Sequence, residues 1–133
     1  MASRTALRVR LCDDLKVLRI LIVDDDRRFR KIARALLESQ GFEVVGEAED
    51  GHGALAAVAD LDPDVVLLDV QLPDLDGLEV ASRLTAEDGA PAVVLTSTRE
   101  ESDFGRQLLD HCGARGFVPK DELSAGRIAE LCR

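Results

Sequence analysis

The sequence predicts an α/β domain: a doubly wound, five-stranded parallel sheet with five helices on its two faces. Three observations support this. Short runs of branched aliphatic residues alternate with longer stretches whose apolar residues recur every three or four positions, the pattern of strands alternating with crossover helices. Three of the short runs stop abruptly at acids or hydroxyls, after Val23, Leu68 and Leu95. The length of 133 residues suits one domain that buries roughly two thirds of its unfolded surface without a disulfide or structural metal.

Residues 1–16 place Arg4, Arg8 and Arg10 ahead of Asp13 and Asp14, show no clear periodicity, and read as a tail; the domain is expected over 17–133. The first strand is Val17–Val23, ending at Asp24, Asp25 and Asp26. Phe29, Ile32, Ala33, Leu36 and Leu37 then mark an amphipathic helix, with Gly41 where a helix C-terminal cap belongs. Phe42–Ala48 partly alternates, as a sheet-edge strand with one wetter face does. Ala54, Leu55 and Val58 give a short helix over 53–60, and Pro63 ends the connection. Val65–Leu68 is the cleanest buried strand and stops at Asp69. A helix is expected over 74–86, a strand over 92–95 ending at Thr96, Ser97 and Thr98, a helix over 100–112, and a strand over 116–118 before Pro119 and Lys120. Leu123, Ile128 and Leu131 mark a last helix.

Charge and composition exclude several functions. The net charge is −9, which disfavours a phosphate backbone as partner, so no direct nucleic-acid binding is expected. No apolar run approaches the ~18 residues of a membrane span, and no apolar core follows the basic N-terminus as a secretory signal requires. Cys12, Cys112 and Cys132 are odd in number and lack CxxC spacing, which reads as reduced thiols in the cytoplasm. His52 and His111 are single and far apart, too few for a histidine metal site.

In parallel sheets, functional groups gather outside the carboxyl ends of the strands. Here those positions hold Asp24, Asp25, Asp69, Thr96 and Lys120. Crowded carboxylates resist ionising, and a hard divalent cation with oxygen ligands, such as magnesium, relieves the repulsion. An ionised carboxylate there can attack a phosphoryl group, while a lysine and a hydroxyl neutralise and bind the transferred oxygens.

At these residues the chain resembles the receiver domain of bacterial two-component response regulators. The likeness runs from about Leu18 to Leu131. It rests on Ile20-Leu-Ile-Val-Asp-Asp25, Asp64-Val-Val-Leu-Leu-Asp69, Pro73 with Asp76-Gly77 in a DxxxPxxDG pattern, Val93-Val-Leu-Thr96, and Gly113-Ala-Arg-Gly-Phe-Val-Pro-Lys120. The resemblance implies a flavodoxin-like sheet of order 2-1-3-4-5. It implies that Asp69 accepts a phosphoryl group from a sensor histidine kinase or phosphotransfer protein. It implies that Asp25, Asp69 and the backbone carbonyl of Gln71 ligate Mg2+, with Asp24 acting through water. Thr96 and Lys120 would bind the phosphoryl oxygens, and Phe117 stands at the family's aromatic switch position. Asp26 receives no role, Pro73 is read as stiffening the turn, and Gly77 as letting the backbone bend. Lys120 is followed by Asp121, where many receivers have proline.

The resemblance implies a phosphoacceptor that assists its own phosphorylation and dephosphorylation, not an enzyme. A phosphatase of the haloacid dehalogenase type needs an acid two residues after the nucleophile, where Gln71 stands. An interaction module that works without phosphorylation is disfavoured by the intact acid set. The chain ends at Arg133, near the end of the last helix; a stand-alone receiver is expected, with a fragment of a longer DNA-binding regulator as the alternative. The output is expected through protein contact, including a phosphorylation-dependent homodimer, on a surface holding Arg99, Arg106, Arg115 and Arg127 among Glu100 and Asp103.

Overall fold

The computed structural model describes residues 17–98 and 112–132. Five strands form one parallel sheet: β1 (Arg19–Val23), β2 (Glu43–Ala48), β3 (Val65–Asp69), β4 (Ala92–Ser97) and β5 (Gly116–Pro119). Their spatial order is β2-β1-β3-β4-β5, as the resemblance implied. Four α-helices lie among the described residues: α1 (Arg27–Ser39), α2 (Gly51–Leu61), α3 (Gly77–Leu84) and α4 (Ala125–Leu131), with a 3-10 turn at Lys120–Glu122. The helix expected over 100–112 falls almost wholly outside the described residues.

Strand alternation sorts the apolar residues into two layers. Ile20 and Ile22 of β1 join Val65, Leu67, Val94 and Val118 in a core that α1 and α4 cover with Ala33, Leu37, Ala125 and Ile128. Leu21 and Val23 face the other way, into a core that α2 and α3 complete with Ala54, Val80, Ala81 and Leu84. Strand β3 is buried along its whole length, whereas β2 at the edge alternates between buried and wetter positions. That is why β3 reads as continuous aliphatics and β2 does not.

Caps set the helix ends. Asp26 is the N-cap of α1 and accepts from Arg28 N–H at 2.9 Å and Phe29 N–H at 3.4 Å. At the other end Gly41 has φ +103°, its N–H reaches the Glu38 carbonyl, and Phe42 N–H reaches that of Leu37. These two bonds make a Schellman motif, which puts glycine in the left-handed region. Helix α3 begins at Gly77 rather than 74, because Asp76 is its cap and Asp74 is engaged elsewhere. Helix α2 begins two residues before the expected 53, with Asp50 as cap. Leu123 precedes α4: Ser124 caps that helix, and Leu123 packs in the same core as Ile128, the arrangement of a hydrophobic staple.

Candidate functional site

The acids lie where the winding of the sheet reverses. The chain leaves β1 for β2 on one side and β3 lies on the other, so the carboxyl ends of β1 and β3 bound a crevice. Asp24 follows β1, Asp69 ends β3, Thr96 is its register partner on β4, and Lys120 follows β5. Asp25, Asp69, Gln71, Thr98 and Lys120 line an open cleft of about 390 Å³ together with Asp26, Leu72 and Pro73. Of the residues singled out from the sequence, Asp25, Asp69 and Lys120 line this cleft, Asp24 lies behind it against Lys120, and Thr96 is the register partner of Asp69.

The backbone fixes the two inner acids. Asp24 is fully buried; its Oδ1 accepts from Asp26 N–H at 2.8 Å, and its carbonyl accepts from Arg30 at 2.6 Å. Asp69 is 4% exposed, and its Oδ1 accepts from Gln71 N–H at 3.1 Å. Lys120 Nζ lies 2.7 Å from Asp24 Oδ2 and 3.3 Å from Asp69 Oδ2. The Phe29 ring supports the same ammonium, 4.7 Å from its centroid, a cation–π contact.

The electrostatic balance is incomplete. Burial, and then the Asp24 charge, push Asp69 up to about 6, against the opposing pull of Gln71 N–H and Lys120. Burial alone would lower Lys120, but the hydrogen bond to Asp24 and the charge of Asp69 outweigh it and hold Lys120 above its ordinary value. One ammonium therefore serves two buried carboxylates. One carboxylate oxygen from each of Asp24, Asp25 and Asp69 lies within 4.8 Å of the others. An all-oxygen donor set short of positive charge fits a hard divalent cation. The Thr96 hydroxyl adds a second unmet demand: it is fully buried and has no hydrogen-bond partner among the described residues. Such a group is costly unless something enters to use it.

Phe117 sits half-buried against the α2/α3 core, paired with Leu95 and next to Val118, the register partner of Thr96. Arg115 and Arg127 are exposed, whereas Arg99, Glu100, Asp103 and Arg106 lie outside the described residues.

Four positions do more than the sequence reading assigned them. Asp26 caps α1, a role its place three residues before Phe29 could have signalled. Gly77 does not supply a bend; a Cβ there would lie 2.3 Å from the Asp69 carbonyl oxygen and 2.7 Å from Val70 Cα. Glycine lets α3 start against the backbone of Asp69 itself. The part played by Phe29 under Lys120 has no signal in helical spacing, which only places Phe29 toward the core. Asp74 binds the start of α2.

Residues 20–131 match the family model described as the response regulator receiver domain. The chain belongs to this family. It is 44% identical to a protein-glutamate methylesterase/protein-glutamine glutaminase of Myxococcus xanthus over 86% of its own length and 33% of that protein. Its fold is similar to a two-component response regulator of the LuxR family from Aurantimonas, with TM-score 0.76 and 30% identity over 87% of this chain and 86% of that one. The response regulator domain of Thermotoga maritima CheB gives TM-score 0.72 and 28% identity over 86% and 90% of the two chains. This receiver spans half or less of the length of several curated relatives it matches. No helix among its described residues is long and apolar enough to cross a membrane.

Proposed function

We propose that this receiver is a phosphoacceptor of a two-component relay, phosphorylated on Asp69 by the phosphohistidine of a sensor histidine kinase or phosphotransfer protein. The observation that carries the reading is the surroundings of Asp69: a buried carboxylate facing Lys120 at 3.3 Å, beside a buried Thr96 hydroxyl with no partner among the described residues. A carboxylate oxygen of Asp69 attacks phosphorus, the P–N bond breaks, and the histidine leaves as imidazole. Lys120 and Thr96 take the oxygens of the transferred group, Lys120 by charge and Thr96 by donating its hydroxyl proton. Asp25, Asp69 and the Gln71 carbonyl would hold Mg2+, with Asp24 acting through water. When bound, that ion would supply charge neutralisation at the phosphoryl oxygens and favour the ionised form of Asp69.

Phosphorylation replaces the single negative charge of the carboxylate by a phosphoryl group of roughly −1.5 to −2. Thr96 then turns toward the new oxygens, and Phe117 fills the space it leaves. The altered surface passes the signal to a protein partner or a second copy of this receiver. The net charge of −9 argues against DNA as the direct target of this stretch. The site reacts once per phosphoryl group rather than turning over a substrate of its own. A cytoplasmic place in the cell suits this reading, as do residues 17–133 as its unit and 1–16 as a tail.

Intact-mass spectrometry after incubation with acetyl phosphate tests the reading. One hydroxylamine-labile phosphoryl adduct is expected with Mg2+ and none without it. Asp69→Asn should remain unlabelled, and equal labelling of that variant would overturn the assignment.

A further inference from the structure

The loop from Val70 to Asp76 is held at its two ends by different elements. At the base, Gln71 and Asp76 form an isolated antiparallel bridge, and Gly77 N–H donates to the Val70 carbonyl at 2.8 Å. At the tip, Asp74 reaches across to α2. Its Oδ1 accepts from Gly51 N–H at 2.7 Å and from Leu75 N–H at 2.8 Å. Its Oδ2 accepts from His52 N–H at 2.9 Å and meets His52 Nδ1 at 2.5 Å. Gly51 and His52 open α2, whose own cap, Asp50, accepts from Gly53 N–H at 2.7 Å through its side chain and from neither of those two amides. The first amides of a helix have no partner within it. Here an acid from the loop beyond β3 satisfies two of them, in the field that favours a negative charge. The fit is close in apolar contact too, since a Cβ on Gly51 would lie 2.9 Å from Leu75 Cβ.

We propose that Asp74 is a positioning residue for the phosphorylation site: by pinning the loop tip to α2, it holds the backbone of Gln71 at the cleft and thereby sets the affinity of the acid cluster for a divalent cation. This rests on the reading of Asp69 as a metal-dependent phosphoacceptor. Gln71 is coupled to Asp69 through its N–H and to Asp76 through the bridge. A loop freed at its tip lets that backbone sample other positions, at a cost to metal binding. Asp74 touches neither the ion nor the phosphoryl group.

The test is an Mg2+ titration followed by amide chemical shifts on the whole chain, with thermal unfolding of each variant. Asp74→Ala should weaken Mg2+ roughly three- to tenfold, below the ten- to hundredfold usual when a direct partner of a ligand is lost. Asp74→Asn keeps one oxygen for Gly51 N–H and Leu75 N–H, and should fall between Ala and wild type; it carries the comparison if the alanine variant does not fold. Asp50→Ala is the control. It removes the α2 cap without touching the loop, so it should lower the melting temperature while leaving Mg2+ affinity within about twofold of wild type, since capping acts on the helix alone. The proposal fails if both Asp74 variants bind Mg2+ as wild type does, or if Asp50→Ala weakens binding as much as Asp74→Ala. Absence of saturable Mg2+ binding by the wild type would instead sink the underlying reading, and the inference with it.

Discussion

Asp69 and Asp74 stand at the start and the tip of one loop, and their surroundings pull them in opposite directions. Asp69 is buried beside Asp24 and is pushed up to about 6, with one backbone N–H and a shared lysine to offset the cost. Asp74 is exposed on the surface; what little burial it has works against ionisation, but the N–H groups of His52 and Gly51, the His52 ring and Leu75 N–H hold it well below the usual carboxylate range. The difference separates two uses of the same side chain. Asp74 has its hydrogen bonds satisfied and serves architecture. Asp69 is left under-neutralised, so under the proposed function a cation and a phosphoryl group entering the cleft would meet a demand already present. Stability and reactivity are set against each other within one loop.

The first way to sharpen the comparison is to remove charge at each site and measure unfolding without metal. A carboxylate whose folded-state value is raised binds its proton more tightly when folded. Its ionisation therefore costs nothing below about pH 4 and its full amount above about pH 6. Asp69→Asn should stabilise the metal-free protein by about 1–3 kcal/mol at pH 7.5, with the gain shrinking as pH falls through that window or as Mg2+ is added. Asp74→Asn should move stability the other way, with its penalty at neutral pH. If both variants shift stability with the same sign, the contrast is broken.

Metal affinity is next in size. Asp25→Ala should weaken Mg2+ binding tenfold or more, equivalent to about 1.4 kcal/mol, as read by calorimetry. Asp25 is exposed and lines the cleft, so the loss should come with little change in melting temperature. An unchanged titration would remove Asp25 from the ligand set.

Thr96→Val probes the second unmet demand. Replacing a buried, unpartnered hydroxyl by a methyl should stabilise the unphosphorylated protein by about 1 kcal/mol. The same variant should still accept a phosphoryl group and lose most of the amide-shift changes around Phe117. A destabilised Thr96→Val would show that the hydroxyl is satisfied in solution.

The smallest effect is expected away from the site. Glu47 bridges Arg30 at 3.0 Å and Arg34 at 2.7 Å. Partial burial opposes its ionisation, but the two arginines prevail and lower its value, so its contribution is present at neutral pH and is lost as pH falls through the carboxylate range. Glu47→Gln should cost less than about 1 kcal/mol and less still in high salt, with phosphorylation at Asp69 unaffected.

What could be read in advance followed the range of the forces involved. Asp24, Asp25, Asp69, Thr96 and Lys120 were legible because each follows or ends a short aliphatic run, and parallel topology brings such ends together. The edge position of β2 showed in its broken apolar pattern. The sequence pattern puts the start of α3 three residues early, because Asp74 has a helix-starting side chain whose hydrogen bonds go to α2, a partner that local spacing cannot reveal. Gly77 looked like a turn residue because its neighbour, the Asp69 carbonyl, is defined only once the loop closes. Phe29 carried a helix-core signal that says nothing about the ammonium it meets.

The central claim is that burial and the neighbouring Asp24 raise Asp69 well above an ordinary carboxylate until a cation arrives, while Asp74 is held below one. Carboxyl-carbon NMR titration of both residues in one sample measures it. The account predicts a midpoint for Asp69 near 6 that falls on adding Mg2+, with Asp74 remaining ionised below the pH at which ordinary aspartates titrate. Two midpoints near the unperturbed value of about 3.9, both insensitive to Mg2+, would contradict it.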